Sequence, residues 1–211
     1  MNSYPNVVIP IGGEGRRFQE AGYTTWKPFI DVLGKPMVQL VMENIGTAGK
    51  YILVTPQGFK TRGAAETVLL VRDQIDNDDP LVIANCDQLV EIDHSGWNIE
   101  ETDGAILTFK ATDPKWSFVK IENGYVTQVA EKNPISDDAT VGIYYWKKGS
   151  DFVKYAEQMI AKDIRTNGEF YVAPVYNEAI ADGKKIIAYQ VDKMWGLGTP
   201  EDLEAYVRSQ Q

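Results

Sequence analysis

The chain of 211 residues has one cysteine, Cys86, and one histidine, His94. A single cysteine excludes an internal disulfide framework and fits a reducing compartment. Without a convincing Ser/His/Asp or Cys/His set, the sequence argues against an enzyme that must generate its own nucleophile. Nothing near Cys86 in the sequence would activate its thiol, so we expect a packing residue there, and we expect His94 on an exposed loop.

Long apolar runs and an excess of positive charge are also absent. No stretch approaches the length of a membrane span, and the first residues carry neither a basic segment nor a long apolar run. We therefore expect a cytoplasmic protein with no membrane partner. A net charge of −9 opposes broad binding to nucleic acid, which requires a basic face. Neither a repeat nor a linker divides the chain, so we expect one domain over residues 1–211.

The most informative feature that is present is a glycine-rich turn near the N-terminus. A short apolar run ending at Ile11 is followed by three glycines, two arginines and a lysine, which are Gly12, Gly13, Gly15, Arg16, Arg17 and Lys27. Glycine lets the backbone turn sharply and bring its N–H groups close to a phosphate. Arginine adds a permanent positive charge with forked donors. The turn therefore indicates a nucleoside triphosphate ligand, although glycine clusters are often plain turns.

Two better-known phosphate motifs do not fit this turn. A Walker loop ends in Gly-Lys-Ser/Thr, and no such tripeptide follows. The dinucleotide fingerprint needs a third glycine where this chain has Phe18, which is too bulky for close packing of a helix on a strand. The positive charge of an acidic chain is nevertheless concentrated here, which favours an anionic ligand at one site.

Apolar patterns along the chain predict an α/β protein. Five short runs rich in β-branched or aromatic residues predict buried strands, at residues 7–11, 51–55, 81–84, 105–109 and 141–146. Helical spacing is found at residues 64–75 and 151–161. Asn123-Gly124, between two further apolar runs at 118–121 and 125–129, predicts a hairpin. We expect a Rossmann-like, mixed but mostly parallel sheet with helices on both faces.

A second candidate feature lies where the third of these strands ends. Asn85-Cys86-Asp87 directly follows residues 81–84, and ligands of parallel α/β sheets bind at the carboxyl ends of strands. An aspartate at that point can hold Mg²⁺ against phosphate oxygens. The alternative is that Asp87 only caps the following turn. Since the glycine-rich turn also follows a strand, both features are expected at the same edge of the sheet.

These residues together resemble the sugar-phosphate nucleotidyltransferase family, which includes glucose-1-phosphate thymidylyltransferases and cytidylyltransferases. Its opening signature, Gly-Gly-x-Gly-Ser/Thr-Arg and then Lys-Pro, is similar to residues 12–17 with Lys27-Pro28. Further segments resemble family motifs in the same order, namely residues 34–37, 63–65, 85–87, 131–132 with 141–144, and 198–203. The resemblance covers almost the whole chain and implies a GT-A-like nucleotidyltransferase fold.

The resemblance implies transfer of a nucleoside monophosphate from a nucleoside triphosphate to a phosphorylated small molecule such as a sugar phosphate, with Mg²⁺ as cofactor and pyrophosphate released. A phosphate acceptor is already anionic at neutral pH, so the protein has only to position two anions and neutralise their charge. By resemblance, Arg17 and Lys27 are the catalytic residues and Asp87 is the metal ligand. The nucleotide-binding residues are then Ile11, Gly12, Gly13, Gly15, Arg16, Gly63 and Ala64, and the acceptor-binding residues are Gln88, Glu131, Lys132, Gly142 and Glu169.

The chain departs from the family pattern in ways that leave alternatives open. Arg16 stands where the family has serine or threonine, Gly196 replaces a second metal aspartate, and residues 46–62 and 91–103 are short. General likeness to capsule-type cytidylyltransferases favours CTP. A nucleotide-binding regulatory protein without turnover would explain Gly196. A glycosyltransferase that uses a nucleotide sugar would usually show an Asp-x-Asp pair, which is absent at Asp87. Glu131-Lys132 could also be a solvated charge pair.

Overall fold

The computed structural model describes residues 4–92 and 101–211. The strands are β1 (Asn6–Pro10), β2 (Asp31–Val32), β3 (Lys35–Pro36), β4 (Lys50–Val54), β5 (Leu81–Ala84), β6 (Gln88–Glu91), β7 (Gly104–Lys110), β8 (Ser117–Glu122), β9 (Tyr125–Glu131), β10 (Asp138–Trp146), β11 (Ile186–Gln190) and β12 (Lys193–Gly196). The helices are α1 (Arg16–Glu20), α2 (Met37–Ile45), α3 (Ala64–Leu69), α4 (Arg72–Ile75), α5 (Gly149–Ala161), α6 (Val175–Ala181) and α7 (Pro200–Ser209), with a 3₁₀ turn at Lys27–Phe29. Within the described ranges, no helix has the length and apolar character needed to cross a bilayer.

The central sheet is mixed and mostly parallel, as the sequence predicts. Its strand order is β11-β7-β10-β5-β1-β4, and the β8–β9 hairpin extends it beside β10. β1 pairs in parallel with β4 and β5, and β11 pairs in parallel with β7. β10 runs antiparallel between β5 and β7. The parallel strands β1 and β5 are short. Their residues are mostly apolar because both faces of each strand are buried.

Two hydrophobic cores lie on opposite faces of this sheet. Successive residues of β1 alternate between them, because side chains of a strand point to opposite faces: Val8 belongs to one core, and Val7 and Ile9 to the other. Helices α3, α5 and α6 supply the first core, and α2, α7 and Phe18 of α1 supply the second. The predicted covering of both faces by helices is confirmed.

The predicted strands are present, and one predicted helix is divided. Asn123 and Gly124 have φ values of 52° and 84°, which are the positive angles that a tight hairpin turn requires. The helix predicted over residues 64–75 is instead two short helices, α3 and α4. Between them, the N–H groups of Leu70 and Val71 donate only three residues back, so the chain tightens there.

A small second sheet positions the C-terminal segment beside the central sheet. β6 pairs antiparallel with β12, which places Gly196 opposite Gln88. The N–H of Leu197 then donates to the carbonyl of Asp87 at 2.7 Å. α7 begins directly afterwards, where the Thr199 hydroxyl accepts from the N–H of Asp202 at 3.1 Å. The segment after β12 is thereby held against the end of β5.

We expect Gly149→Ala to lower the stability of the fold. Gly149 is buried at the start of α5, and a Cβ there would lie 2.0 Å from the backbone oxygen of Ile75. Because backbone atoms cannot move aside as a side-chain end can, such overpacking costs about 1–3 kcal/mol. Urea unfolding measures the loss. Ser150→Ala, which adds no atom in the same helical turn, should stay within about 0.5 kcal/mol of the parent; equal stability of both variants would contradict this packing.

Candidate active site

The two features expected at one edge of the sheet do meet. β1 and β5 are adjacent and parallel, so the glycine-rich loop after β1 lies beside the residues after β5. Lys27 Nζ donates to Asp87 Oδ2, and the two side chains are 17% and 21% exposed. Burial disfavours the ammonium, but the Asp87 carboxylate outweighs it, so the pKa of Lys27 lies above its usual value. Lys27 is therefore an ammonium at any physiological pH.

Glycines are required where the loop touches its supports. Gly15 has a φ of 64°, and a Cβ at this position would lie 2.8 Å from the Cβ of Lys27. A Cβ on Gly12 would lie 2.9 Å from the Cδ of Pro56. Real side chains do not approach so closely, so the loop rests directly on the Lys27 segment on one side and on the end of β4 on the other.

The loop presents free donors and one free arginine. Within the described chain, the N–H groups of Gly13, Glu14 and Gly15 donate to no protein acceptor. Arg16 contacts Glu14 at 3.4 Å, and Lys60 contacts the same carboxylate at 3.3 Å. Arg17 is exposed and forms no ion pair with any described residue. Consecutive free amides beside an unneutralised guanidinium are suited to a polyphosphate.

Two cavities adjoin the loop and share Gly15, Arg16 and Arg17. The glycine-loop cavity, of about 710 Å³, is further lined by Gly12, Gly13, Pro56, Phe59, Lys60, Thr61, Gly63, Ala64, Thr67 and Glu169. The Asp87 cavity, of about 400 Å³, is further lined by Lys27, Asp87, Gln88, Lys115, Trp116, Lys132, Gly196, Gly198, Thr199 and Asp202. Ile11 and Ala64 line a smaller space between them with Lys27, Asp87 and Tyr171.

Gly63 ties a distant segment to the glycine-loop cavity. Its φ is 138°, and a Cβ there would lie 2.3 Å from the carbonyl oxygen of Phe170. Backbone bonds on either side lock this contact, since Phe170 N donates to Arg62 O at 2.7 Å and Ala65 N donates to Phe170 O at 3.0 Å. This contact places Glu169 on the glycine-loop cavity and Tyr171 on the smaller space beside it.

Gly142 performs a similar task at the Asp87 cavity. It lies at a break in the β10–β7 register with a φ of 77°, and its carbonyl accepts from Asn85 N at 2.9 Å. A Cβ on Gly142 would lie 1.9 Å from Gln88 Oε1, which itself accepts from Asn85 Nδ2 at 3.0 Å. The predicted residues Gln88 and Gly142 are thus in contact, and Gly142 makes room for two side-chain amides.

Of the predicted acceptor residues, Gln88 and Lys132 line the Asp87 cavity, and Glu131 and Gly142 line neither cavity. Lys132 Nζ donates to the Tyr171 hydroxyl at 2.6 Å, and this bond raises the pKa of Lys132. Lys132 also has a φ of 54°, a strained angle that is typical of functional positions. Burial raises the pKa of Glu131, whose carboxylate accepts from the Ser117 hydroxyl. Glu169 lies on the glycine-loop cavity, close enough to Lys132 to act on its charge.

The sequence analysis did not identify Asp202, Lys115 or Trp116 as site residues, although all three line the Asp87 cavity. Asp202 lies inside the C-terminal segment already quoted, and its Oδ2 is 3.7 Å from where a Cβ of Gly196 would be. A second carboxylate is therefore near the position that glycine leaves empty. Among the described residues, no three His, Cys, Asp or Glu side chains converge. The residue His94 lies outside the described residues.

A separate cavity of about 440 Å³ lies at the opposite end of the central strands, beside the starts of β1 and β5. It is lined mainly by apolar residues, among them Val82, Leu107 and Ile143. No charged side chain of the described residues lines it. It lacks the groups that would hold a phosphorylated ligand, so the glycine-rich loop remains the candidate site.

We expect Cys86 to be unreactive in the folded protein. Burial, with the adjacent Asp87 charge adding to it, raises the pKa of Cys86 to about 12, so the thiol is protonated at neutral pH. An aromatic disulfide reagent at pH 8 should modify the native protein about a hundredfold more slowly than the protein unfolded in guanidinium chloride. Equal rates in the two states would contradict the packing role expected from the sequence.

No protein-family model matches the chain, and no curated protein sequence matches it. Solved structures do. The nucleoside-diphosphate-sugar pyrophosphorylase from Vibrio cholerae is similar with a TM-score of 0.82 and 24% identity, over 96% of this chain and 99% of that one. A UDP-glucose pyrophosphorylase solved with UDP-glucose is similar with a TM-score of 0.78 and 16% identity, over 98% of both chains. The inositol-1-phosphate CTP transferase from T. maritima has a TM-score of 0.69 and 12% identity, over 98% and 97%. The chain has the fold of the sugar-phosphate nucleotidyltransferases.

Proposed function

We propose that the protein transfers a nucleoside monophosphate from a nucleoside triphosphate to a phosphorylated small molecule, releasing pyrophosphate. The observation that carries the proposal is the position of the loop. Gly15, Arg16 and Arg17 form the border between the glycine-loop cavity and the Asp87 cavity. Two ligands in these cavities would meet at the cations that the transfer of a phosphoryl group requires.

The chemistry needs no protein base. In the transfer, an acceptor phosphate oxygen forms a bond to the α-phosphorus, and the bond from that phosphorus to the oxygen bridging to the β-phosphate breaks. The electron pair of the broken bond leaves with pyrophosphate. The acceptor oxygen is anionic at neutral pH because the second pKa of a phosphate monoester is near 6. Cationic donors and amides line both cavities, together with the carboxylates of Asp87, Asp202, Glu14 and Glu169.

Each cation then has a role that its position supports. Arg17, which has no carboxylate partner among the described residues, stabilises the charge that develops on the leaving pyrophosphate. Lys27 stabilises the charge at the α-phosphate, and Lys132, held by Tyr171, binds the acceptor phosphate. Arg16 shares its charge with Glu14, so it contributes less.

The residues at the Asp87 cavity fit a magnesium ion. Mg²⁺ prefers carboxylate oxygens and commonly takes one or two from the protein, with phosphates and water completing its shell. Asp87 and Asp202 both line this cavity. Bound Mg²⁺ would neutralise phosphate charge and orient the triphosphate. We propose Asp87 as its ligand, with Asp202 as a second carboxylate on the same cavity.

One experiment tests the identity of the nucleotide and of the acceptor together. We propose CTP as the nucleotide and a sugar phosphate as the acceptor, from the likeness noted in the sequence. CTP, UTP, dTTP and GTP are each combined with several phosphorylated acceptors, and pyrophosphate release is measured with Mg²⁺ present. Binding of a nucleotide without release from any pair would indicate a regulatory protein. Release of a nucleoside diphosphate from a nucleotide sugar would indicate glycosyl transfer.

We expect Arg17→Ala to lower kcat/KM about a hundredfold, since loss of a charge contact made in the transition state costs about 3 kcal/mol. Steady-state pyrophosphate release measures the effect. Arg72→Ala is the matched control, because Arg72 pairs with Asp76 and Glu157 away from both cavities. Near-normal turnover by a folded Arg17→Ala variant would remove Arg17 from the mechanism.

We expect Lys27→Met to strengthen the binding of Mn²⁺, used as a probe for Mg²⁺, to the free protein. In the parent, a cation must displace the Lys27 ammonium to reach Asp87. A mostly buried carboxylate without its partner should bind the metal at least about tenfold more tightly. Electron paramagnetic resonance of free Mn²⁺ measures the affinity. Lys35→Met, which removes an exposed pair with Glu43, is the control. Unchanged or weaker binding would place the metal elsewhere.

A further inference from the structure

In the glycine-rich loop, the three residues whose N–H groups are free have carbonyl groups that each accept a hydrogen bond. Trp26 Nε1 donates to Gly13 O at 3.2 Å, and Gln19 Nε2 donates to Glu14 O at 2.8 Å. The next carbonyl, of Gly15, accepts from two N–H groups of α1. Three consecutive carbonyls of the loop are therefore held, two of them by side chains.

A held carbonyl also sets the direction of the following N–H. In a trans peptide the two groups point in opposite directions, and the described chain has no cis peptide bond. The bond from Trp26 therefore turns the N–H of Glu14 away from the indole, and the bond from Gln19 turns the N–H of Gly15 away from the glutamine. Among the described residues, Glu14 and Gly15 line the glycine-loop cavity while Trp26 and Gln19 line neither cavity. The two N–H groups therefore point away from Trp26 and Gln19, and we infer that they face the glycine-loop cavity.

Neither side chain is needed to build the core. Trp26 is 39% exposed, and its ring partner Phe29, with centroids 5.6 Å apart, is 44% exposed. Gln19 is exposed on the surface of α1. Surface substitutions of this kind usually change stability little, so loss of either hydrogen bond can be measured in a folded protein.

We propose that Trp26 and Gln19 are positioning residues that keep the loop amides aimed at the β- and γ-phosphates of the nucleotide. This inference rests on the proposed function. These two phosphates leave as pyrophosphate, so the same amides hold the leaving group. Losing one hydrogen bond frees one peptide unit to rotate. The loop conformation that binds the phosphates is then less populated, and the apparent affinity for the nucleotide falls. We place the acceptor in the Asp87 cavity, which neither Gly13 nor Glu14 lines, so its binding should not change.

Two variants separate the hydrogen bonds from the side chains that make them. Trp26→Phe keeps an aromatic ring and removes the N–H, and Gln19→Met keeps the length and the helix propensity while removing the amide. Each should raise the Kd of the nucleoside triphosphate and of inorganic pyrophosphate by about threefold to tenfold, the value of one neutral hydrogen bond. Calorimetry with Mg²⁺ and without acceptor measures both ligands in the absence of turnover. The KM for the acceptor and the thermal midpoint should not change.

Matched controls remove the same groups elsewhere. Trp195→Phe loses an indole bond to Glu91, and Gln39→Met loses an amide bond to Glu43. Both should bind pyrophosphate as the parent does. Trp26 also supplies a spectroscopic signature. Its fluorescence emission should change when pyrophosphate binds to the parent and to Gln19→Met. The contribution of Trp26 to this change should be lost in Trp26→Phe.

The outcomes separate this inference from the proposed function. A parent protein that binds neither nucleotide nor pyrophosphate overturns the proposed function. A parent that binds both, with Trp26→Phe and Gln19→Met binding equally well, overturns the positioning role alone. Equal weakening of acceptor and pyrophosphate, together with a lower thermal midpoint, would mean that the two residues only support the fold, and it also overturns the positioning role.

Discussion

The ion pair between Lys27 and Asp87 is the interaction on which the candidate site depends. It joins the segment after the glycine-rich loop to the end of β5, across 60 positions of sequence. Both side chains are mostly buried, and separating such a pair would leave a poorly solvated charge, which typically costs several kcal/mol. The pair therefore holds the Lys27 segment against the residues that follow β5. It also keeps a cation and a carboxylate together at the place where a metal–phosphate complex would bind.

Close backbone approaches make that arrangement possible. Gly15 against Lys27, Gly63 against Phe170 and Gly142 against Gln88 each leave no room for a Cβ. Three chain segments that are far apart in sequence thus come within contact of the loop or of Asp87. Glycine weakens regular structure, and at all three positions it lies at a helix start or at a break in strand register rather than within regular structure.

The sequence predicted the features that depend on local pattern and missed those that depend on distant contacts. Short β-branched runs located the strands, and the rule that ligands bind at strand ends placed the glycine-rich loop beside Asp87. The turn at Leu70 and Val71 was missed because the apolar spacing of residues 64–75 continues through it. Asp202 reaches the site only through the pairing of β6 with β12, which no periodicity of either short strand indicates. The hydrogen bond from Trp26 to the loop likewise joins two irregular segments, and no sequence pattern indicates it.

The distribution of charge around the cleft would allow an acidic protein to bind an anionic ligand at one site. Five cationic side chains line the Asp87 cavity, namely Arg16, Arg17, Lys27, Lys115 and Lys132. Three of them are paired with the protein's own carboxylates. Within residues 4–92 and 101–211, Arg17 and Lys132 form no direct ion pair, and only Arg17 also lines the glycine-loop cavity. A net charge of −9 repels polyanions in general. The two phosphorylated substrates proposed above would contact Arg17 and Lys132 together, and the proposed Mg²⁺ would compete with Lys27 for Asp87, whereas a simple anion would make only part of these contacts.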